Sequence, residues 1–360
     1  MPTLEQRADL DFVLAARRVW AARVYPALAD RARAAAGIAA APARPGGWTE
    51  AVAQVAPAVH AQPAYPFFAF LERGLQKQLW RVVTEVVESG AAEAGLRAPQ
   101  TTRAGPGTLE LDPALELPDW YTACDFHLQP GGVWQGITNG LVYRLGARVV
   151  MLGANDAAEF HRLFTRTAVP VRAYQRIVDL GCGFGKSTFP FKEAFPSAEV
   201  IGVDLAAPLL ELAHSDAAAR GLDIRFRQAN CAATGLEADS ADLVTATMLL
   251  HELPPPLVRA TLAEAARLLH PGGLLRVLDF QPTGDPVRDL AMVEHSARNN
   301  EPFMAELFRC DVTGWCTELG LGSARWRPFD ERGAGLLPGP GWPQRPEWHF
   351  PWAVLEAERQ

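Results

Sequence analysis

From about Val169 onward the chain alternates short apolar runs with segments of helical periodicity, and no other feature constrains its fold as strongly. The runs fall at 176–180, 199–203, 224–227, 243–246 and 274–280. They are short enough to be strands buried on both faces, and the segments between them are long enough for helical crossovers. Five strands alternating with helices predict an α/β domain built on a doubly wound parallel sheet. Two further strands are expected at 324–329 and 348–358. A glycine- and proline-rich excursion at 333–346 stands between them in place of a helix, which predicts a terminal antiparallel hairpin and a total of seven strands.

The first part of the chain reads differently. Thr3 and Gln6 have capping-box spacing, and Leu4, Ala8, Phe12, Ala15, Val19 and Leu28 recur at roughly helical intervals, predicting a helix over 3–36. A proline-, glycine- and alanine-rich break at 39–47 follows, then helices at 48–59 and 67–88. Nothing there alternates like a strand, so 1–97 is expected to be a helical N-terminal domain. Residues 98–118 carry several prolines and glycines without periodicity and read as a surface linker. They lead to YTACDFHLQPGGVWQG at 121–136, a candidate lid. The expected division is therefore 1–97, a linker and lid segment at 98–168, and 169–360. A length of 360 residues, 49% of them hydrophobic, supports more than one unit around a large core.

Composition narrows the function classes. The formal charge is −7 and the isoelectric point about 5.7, with arginines scattered rather than clustered, so a nucleic-acid partner is not expected. No apolar stretch reaches the length of a membrane span and the first residues do not resemble a leader, which predicts a soluble, cytoplasmic protein with no membrane partner. The five cysteines are odd in number, widely spread and free of C-x-x-C pairs, which argues against a disulfide framework or a structural zinc site.

The segment RIVDLGCGFGKST ends a buried strand on an acid, Asp179, and then places glycines at 181, 183 and 185 before a helix. Such glycines allow a tight turn and close backbone approach to a ligand at the carboxyl edge of the sheet. Asp204 ends the next strand, where a carboxylate can accept hydrogen bonds from both hydroxyls of a ribose. A dinucleotide fingerprint requires a glycine where this chain has Lys186, leaving G-x-G-x-G, which weakens NAD. A phosphate loop requires a glycine where this chain has Leu180. With no pyrophosphate to repel, Asp179 also fits a contact to the amino-acid end of a cofactor.

On these residues the chain resembles the class I S-adenosylmethionine-dependent methyltransferases over roughly 169–359. VDLGCGFG matches that family's first motif and Asp204 its ribose-binding acid, and 229–231, 241–254 and 268–280 follow in the family's order. The resemblance implies a Rossmann-like methyltransferase domain of seven strands, preceded here by helices as in small-molecule enzymes of this type. It implies S-adenosyl-L-methionine as cofactor, held by Asp179, Gly181, Cys182, Gly183, Gly185, Asp204, Leu205, Asn230, Cys231 and Met248. Asn230 stands where the family often has an acid beside the adenine. His251 and Glu252 stand where related O-methyltransferases carry a His-Asp pair, which implies His251 as base and Glu252 as its orienting carboxylate.

The acceptor must reach the strand ends that hold the cofactor, so loops after the fourth and fifth strands and a lid from the preceding segment are expected to form its site. Tyr121, Asp125, His127 and Gln129 offer hydrogen-bonding side chains beside a Gly-Gly hinge, and Arg298 offers a partner for an acceptor carboxylate. As alternatives, 125–134 is a turn packed by Phe126 and Trp134, His251 a histidine satisfied at a strand–helix turn, and Arg298 part of a solvated helix end. His161, His214 and His270 share no ligand spacing, and methyl transfer requires no metal. The expected function is in-line methyl transfer to a small-molecule acceptor at oxygen, nitrogen or sulfur. A homodimer through the helical domain is expected beside that acceptor. An NAD(P)-dependent oxidoreductase and a non-catalytic cofactor-binding interaction protein remain the alternatives.

Overall fold

The computed structural model describes residues 3–37, 47–89 and 105–360. Nearly all of the break at 39–47, the boundary at 97 and the linker residues 98–104 lie outside the described residues. The chain begins with α1 (Leu4–Val19), a π-helical turn (Trp20–Val24) and α2 (Tyr25–Ala36). The expected capping box is present: the Gln6 N–H donates to Thr3 Oγ1 at 3.1 Å and the Thr3 N–H to Gln6 Oε1 at 2.9 Å. The single helix expected over 3–36 is instead interrupted at 20–24. Pro26 has no N–H with which to continue the regular ladder, and the Tyr25 N–H reaches back five residues to the Trp20 carbonyl. Gly37, at φ +64°, ends α2 in the left-handed region.

Helices α3 (Trp48–His60) and α4 (Tyr65–Glu88) follow, close to the expected spans. The middle of the chain supplies β1 (Thr108–Glu110), α5 (Asp119–Thr122), a 3-10 turn (Phe126–Leu128), α6 (Ile137–Val150) and α7 (Glu159–Ala168). Next come β2 (Arg176–Leu180), α8 (Phe189–Ala194), β3 (Glu199–Asp204), α9 (Ala207–Ala219), β4 (Ile224–Gln228) and β5 (Ala241–Thr247). After them run α10 (Pro255–Leu268), β6 (Leu269–Phe280), α11 (Pro286–Arg298), α12 (Met304–Leu307) and α13 (Val312–Glu318). Last are β7 (Leu321–Asp330), β8 (Gly335–Leu336) and β9 (Trp352–Arg359).

The strands form one sheet in the order β1-β4-β3-β2-β5-β6-β9-β7-β8. From β4 to β6 all pairs are parallel, and β9 enters antiparallel to both β6 and β7, giving the expected hairpin. Among the described residues there are nine strands rather than seven, because β1 and β8 add short edges. The linker residues 108–110 are strand only because β4 pairs with them: Leu109 faces Phe226, and Arg225 and Arg227 bond Glu110 at 2.6 and 3.0 Å. Three residues are too few to carry an alternation of their own.

Successive residues of the central strands point into different packing layers. Val178, Ile201, Val244 and Leu275 pack with Val258 and Leu262 of α10 and Cys316 of α13. Ile177, Val200, Leu243 and Leu274 belong to a core that continues through Phe164 and Trp352 to Trp20, Tyr25 and Phe68 of the N-terminal helices. The helical segment is thus packed into the same interior as the sheet. No helix among the described residues is long and apolar enough to cross a membrane.

Candidate active site

The order of the sheet reverses between β2 and β5, and at such a switch point the strand ends leave a crevice. Past Leu180 the chain turns through Gly181, Gly183 and Gly185, all at positive φ. At Gly181 (φ +68°) an added Cβ would meet Leu249 at 2.7 Å, so the backbone lies where only glycine fits. Asp204, at the end of β3, ties this loop down. Its Oδ2 accepts the Gly183 N–H at 2.8 Å and its Oδ1 accepts the Ala206 N–H at 2.8 Å. Burial pushes its carboxyl up to about 6 despite these donors, and each oxygen keeps capacity for a further hydrogen bond.

A cavity of about 250 Å³ opens over these strand ends. Gly181, Cys182, Gly183, Asp204, Leu205, Cys231 and Met248 all border it. Met248, directly after β5, has a φ of +57°, a strained conformation of the kind found at ligand sites. The fit to an adenosine-bearing cofactor rests on this geometry. At Gly183 an added Cβ would find nothing nearer than 4.0 Å and would occupy cavity space, so the bare backbone leaves room for a ligand beside a carboxylate.

Three of the expected cofactor contacts are not on the cavity wall. Asp179 is fully buried beneath the loop, where Oδ2 accepts the hydroxyls of Ser187 and Thr188 at 2.7 Å each; burial pushes its carboxyl up to about 6. It braces the turn from below. Gly185 faces Phe189, which a Cβ would meet at 2.7 Å. Asn230 caps its own turn, its Oδ1 accepting the Ala232 N–H at 2.9 Å.

His251 lies just beyond β5, nearly fully buried, on the cavity wall. Its orienting carboxylate is Asp279, not Glu252. Nδ1 is 2.7 Å from Asp279 Oδ1, whereas Nε2 is 3.9 Å from Glu252, beyond hydrogen-bond reach. Asp279, the penultimate residue of β6, is completely buried, and its Oδ2 also accepts the N–H groups of Leu249 and Leu250 at 3.1 and 2.7 Å. Burial would lower the His251 pKa, but the charges of Asp279, Glu252 and Glu301 outweigh it and hold the pKa above the usual histidine value. With Nδ1 committed to Asp279, Nε2 is the nitrogen left for the cavity.

Glu252 serves a different partner. His127, from the expected lid, stands between Glu252 Oε1 at Nε2 and Glu301 Oε1 at Nδ1, each 2.9 Å away. Burial alone would lower its pKa, yet the two carboxylates raise it to about 10, so His127 is an imidazolium at neutral pH. His127 and Leu128 both have positive φ (56° and 62°), which aims the His127 carbonyl at α4, where Trp80 Nε1 and Gln76 Nε2 donate to it at 2.5 and 3.0 Å. The lid is thereby fastened to three elements through one residue.

Among the other expected acceptor contacts, Tyr121 borders the cavity, packed against Trp134 at 5.1 Å. Asp125, Gln129 and Arg298 do not. Asp125 accepts the Gly131 N–H at 3.0 Å and shapes the turn. Gln129 is buried, its Nε2 donating to the Gly132 and Asn139 carbonyls. Arg298 is paired with Glu72 and Glu294 and does not border the cavity. Sequence reasoning missed Asp279, Glu301 and Tyr143. Asp279 carried the signal used for Asp179 and Asp204, an acid ending a buried strand, and Glu301 lay within the segment 294–303. Tyr143, on α6, borders the cavity with its ring stacked on that of His127 at 6.2 Å between centroids, and it carried no such signal.

Residues 177–273 match the family described as a methyltransferase domain. This match falls on the strands and loops just described, so that segment is similar to a methyltransferase domain. The chain is 39% identical over 111 residues to the demethylmenaquinone methyltransferase of Thermus thermophilus, covering 31% of this chain and 50% of that protein. It is 41% identical over 110 residues to the trans-aconitate 2-methyltransferase of Methylobacterium radiotolerans, covering 30% and 39%. The chain thus spans half or less of the length of each. Among solved structures, the mitomycin 7-O-methyltransferase MmcR is similar with a TM-score of 0.45 and 18% identity over 60% of this chain and 58% of that one.

Proposed function

We propose that the chain transfers a methyl group from S-adenosylmethionine to a small-molecule acceptor, and that His251 is the base that takes the acceptor's proton. The observation that carries this reading is the buried Asp279–His251 pair, 2.7 Å apart, with Nε2 on the wall of the cavity that the glycine loop bounds. The named acceptors of the matched relatives, demethylmenaquinone and trans-aconitate, are small molecules, which supports the acceptor class. When bound, S-adenosylmethionine supplies a methyl carbon on a sulfonium, open to in-line displacement with a neutral thioether as leaving group. In this reading the loop backbone at 181–183 and the Asp204 carboxylate hold the adenosine, with Leu205, Cys231 and Met248 around it. Asp279 fixes the tautomer of His251 and stabilises the imidazolium that forms as the acceptor heteroatom loses its proton. Tyr121, Trp134, Phe280 and Phe350 exclude water from the transfer path.

The division into 1–97, 98–168 and 169–360 belongs to the same proposal, with helices as roof, lid in the middle and transfer domain last. Arg17, Gln76 and Trp80 support the roof role, since all three border the cavity. Self-association through the helical segment is supported by Leu4, Phe12 and Phe70, which are exposed although apolar. Sedimentation at two protein concentrations tests that part. The central test is incubation of the protein with methyl-labelled cofactor and a metabolite extract. The expected result is label in a small organic product, lost on His251→Ala; label in no small molecule would refute the reading.

A further inference from the structure

Beyond the transfer site lies a second chamber of about 80 Å³. Arg17, Met151, Asn299 and Phe350 line both spaces, whereas Trp20 and Trp348 line the inner chamber and not the outer cavity. The inner walls are aromatic: Trp20 meets Trp348 edge-on at 5.8 Å, and Phe350 stands 5.5 Å from Trp352. The charges around it are unevenly paired. Glu72 is bonded by His295 and Arg298, and Glu331 by Arg345. Arg17, by contrast, has a single hydrogen bond among the described residues, to neutral Gln76. Its Nε and the Trp20 Nε1 are buried donors without a partner. The two residues are three apart, on one face, where α1 runs into its π-helical turn. Such turns within α-helices are frequent at functional sites.

We infer that Arg17 and Trp20 form a carboxylate-binding subsite at the inner end of the cavity, and that the methyl acceptor is a planar molecule carrying a carboxylate that docks there. This inference rests on the proposed methyl transfer and names the acceptor class for it. The nearby Glu72 carboxylate is already bonded by His295 and Arg298, so the Arg17 guanidinium lacks an ion-pair partner among the described residues, and a carboxylate would supply charge-assisted hydrogen bonds to both free donors. Burial draws the Arg17 pKa down to about 10 with Glu72 working against it, so the side chain remains cationic at neutral pH. Asn299 Oδ1 and His349 Nε2 are also buried without partners at this chamber. Both are acceptors, because His349 Nδ1 faces the Glu347 carbonyl at 2.9 Å and burial, with Arg288, pulls that histidine down to about 4. They suit a hydroxyl on the same molecule and leave the carboxylate to Arg17 and Trp20. The outer cavity offers the cofactor a different cation, Lys186, beside the glycine loop.

The test uses the full chain saturated with S-adenosylhomocysteine and titrated with 2-naphthoate and with its neutral counterpart 2-naphthamide. Naphthoate is expected to bind roughly tenfold or more tightly than the amide, as a charge-assisted pair in a dry site should. Arg17→Gln should erase that preference. Trp20→Phe keeps an aromatic ring but removes the pyrrole part of the indole with its N–H, and should weaken naphthoate by about threefold to tenfold more than it weakens naphthamide. Affinity for S-adenosylhomocysteine should stay within about twofold in both variants, since neither donor serves the adenosine site. Equal binding of the two probes by the wild-type chain would overturn the inference, as would a preference that survives both substitutions. A parallel loss of S-adenosylhomocysteine in Arg17→Gln would assign the anion to the cofactor and overturn it too. Should Arg17→Gln fail to fold, Trp20→Phe and the wild-type comparison decide. If S-adenosylhomocysteine itself does not bind the wild-type chain, the methyl-transfer reading fails separately, and the two probes still judge the subsite alone.

Discussion

The two ends of the cavity are held by different kinds of structure. At the Asp204 end, backbone groups of one tight turn and one carboxylate at the neighbouring strand's tip make the surface, within a stretch of 24 residues from Gly181 to Asp204. At the His127 end, side chains converge from α1, α4, the lid, the turn after β5 and the segment beyond α11, and two carboxylates and an imidazolium fix their positions. The first end is a local device, so it depends on few residues and each matters greatly. The second is a tertiary assembly, whose members act through one another; in the proposed reading they can change the acceptor without disturbing the cofactor.

Measurements at four places in the molecule would break or sharpen this contrast. The largest effect is expected at His251: His251→Ala should lower turnover by about a hundred- to ten-thousand-fold, the range for a lost general base, with S-adenosylhomocysteine affinity unchanged by calorimetry. The pH profile adds a signature. Turnover should rise with pH as the histidine deprotonates, with its midpoint above the usual histidine value, and Asp279→Asn should move that limb to lower pH because the raising charge is gone. A limb that stays put would detach Asp279 from His251.

Next is Asp204→Ala, which should weaken S-adenosylhomocysteine by about 3 kcal/mol or more, since a charged acceptor for two hydroxyls is lost and the Gly183 tie with it. Unchanged affinity in a folded variant would remove the local device from the site. A moderate effect is expected at the lid. His127 has its pKa raised to about 10, so the stability its ion pairs contribute is fully present below about 6.5 and is lost as pH rises through about 10. Proteolysis within 125–136 should therefore accelerate over that window, and His127→Gln should show the fast rate already at neutral pH. Smallest of all, Asn230→Ala should change cofactor affinity by less than about 0.5 kcal/mol, because that side chain caps its own turn. A loss of tenfold would return it to the adenine.

The contrast also explains what could be read from the sequence. The sheet, the glycine loop and Asp204 are recorded in short contiguous patterns, because strand periodicity and positive φ are local requirements. Asp179 shows the limit of such reading: an acid at a strand end was visible, but whether it faces the cavity or the Ser187 and Thr188 hydroxyls beneath depends on the turn's path. His251 could be singled out while its partner could not, since Asp279 is brought to it by the β5–β6 pairing, 28 residues away. Arg298 looked available for a ligand because its partner Glu72 lies 226 residues earlier in the chain. The edge strand β1 was invisible for a related reason, as its order comes from β4.

The position of β9 bears on how the protein is made. It pairs with β6 on one side and with β7 on the other, both of which leave the ribosome before it. Until it emerges, a nascent chain holds two unpaired strand edges next to a half-built interior, the kind of exposed template on which chains stick to one another. Trp352 starts this strand and Phe350 lies two residues before it, and both line the cavity, so that wall of the cavity is completed only when the sheet is closed. A chain stalled or cut before that strand would lose sheet closure and that wall of the cavity in a single step, and such products should be cleared or aggregate rather than persist.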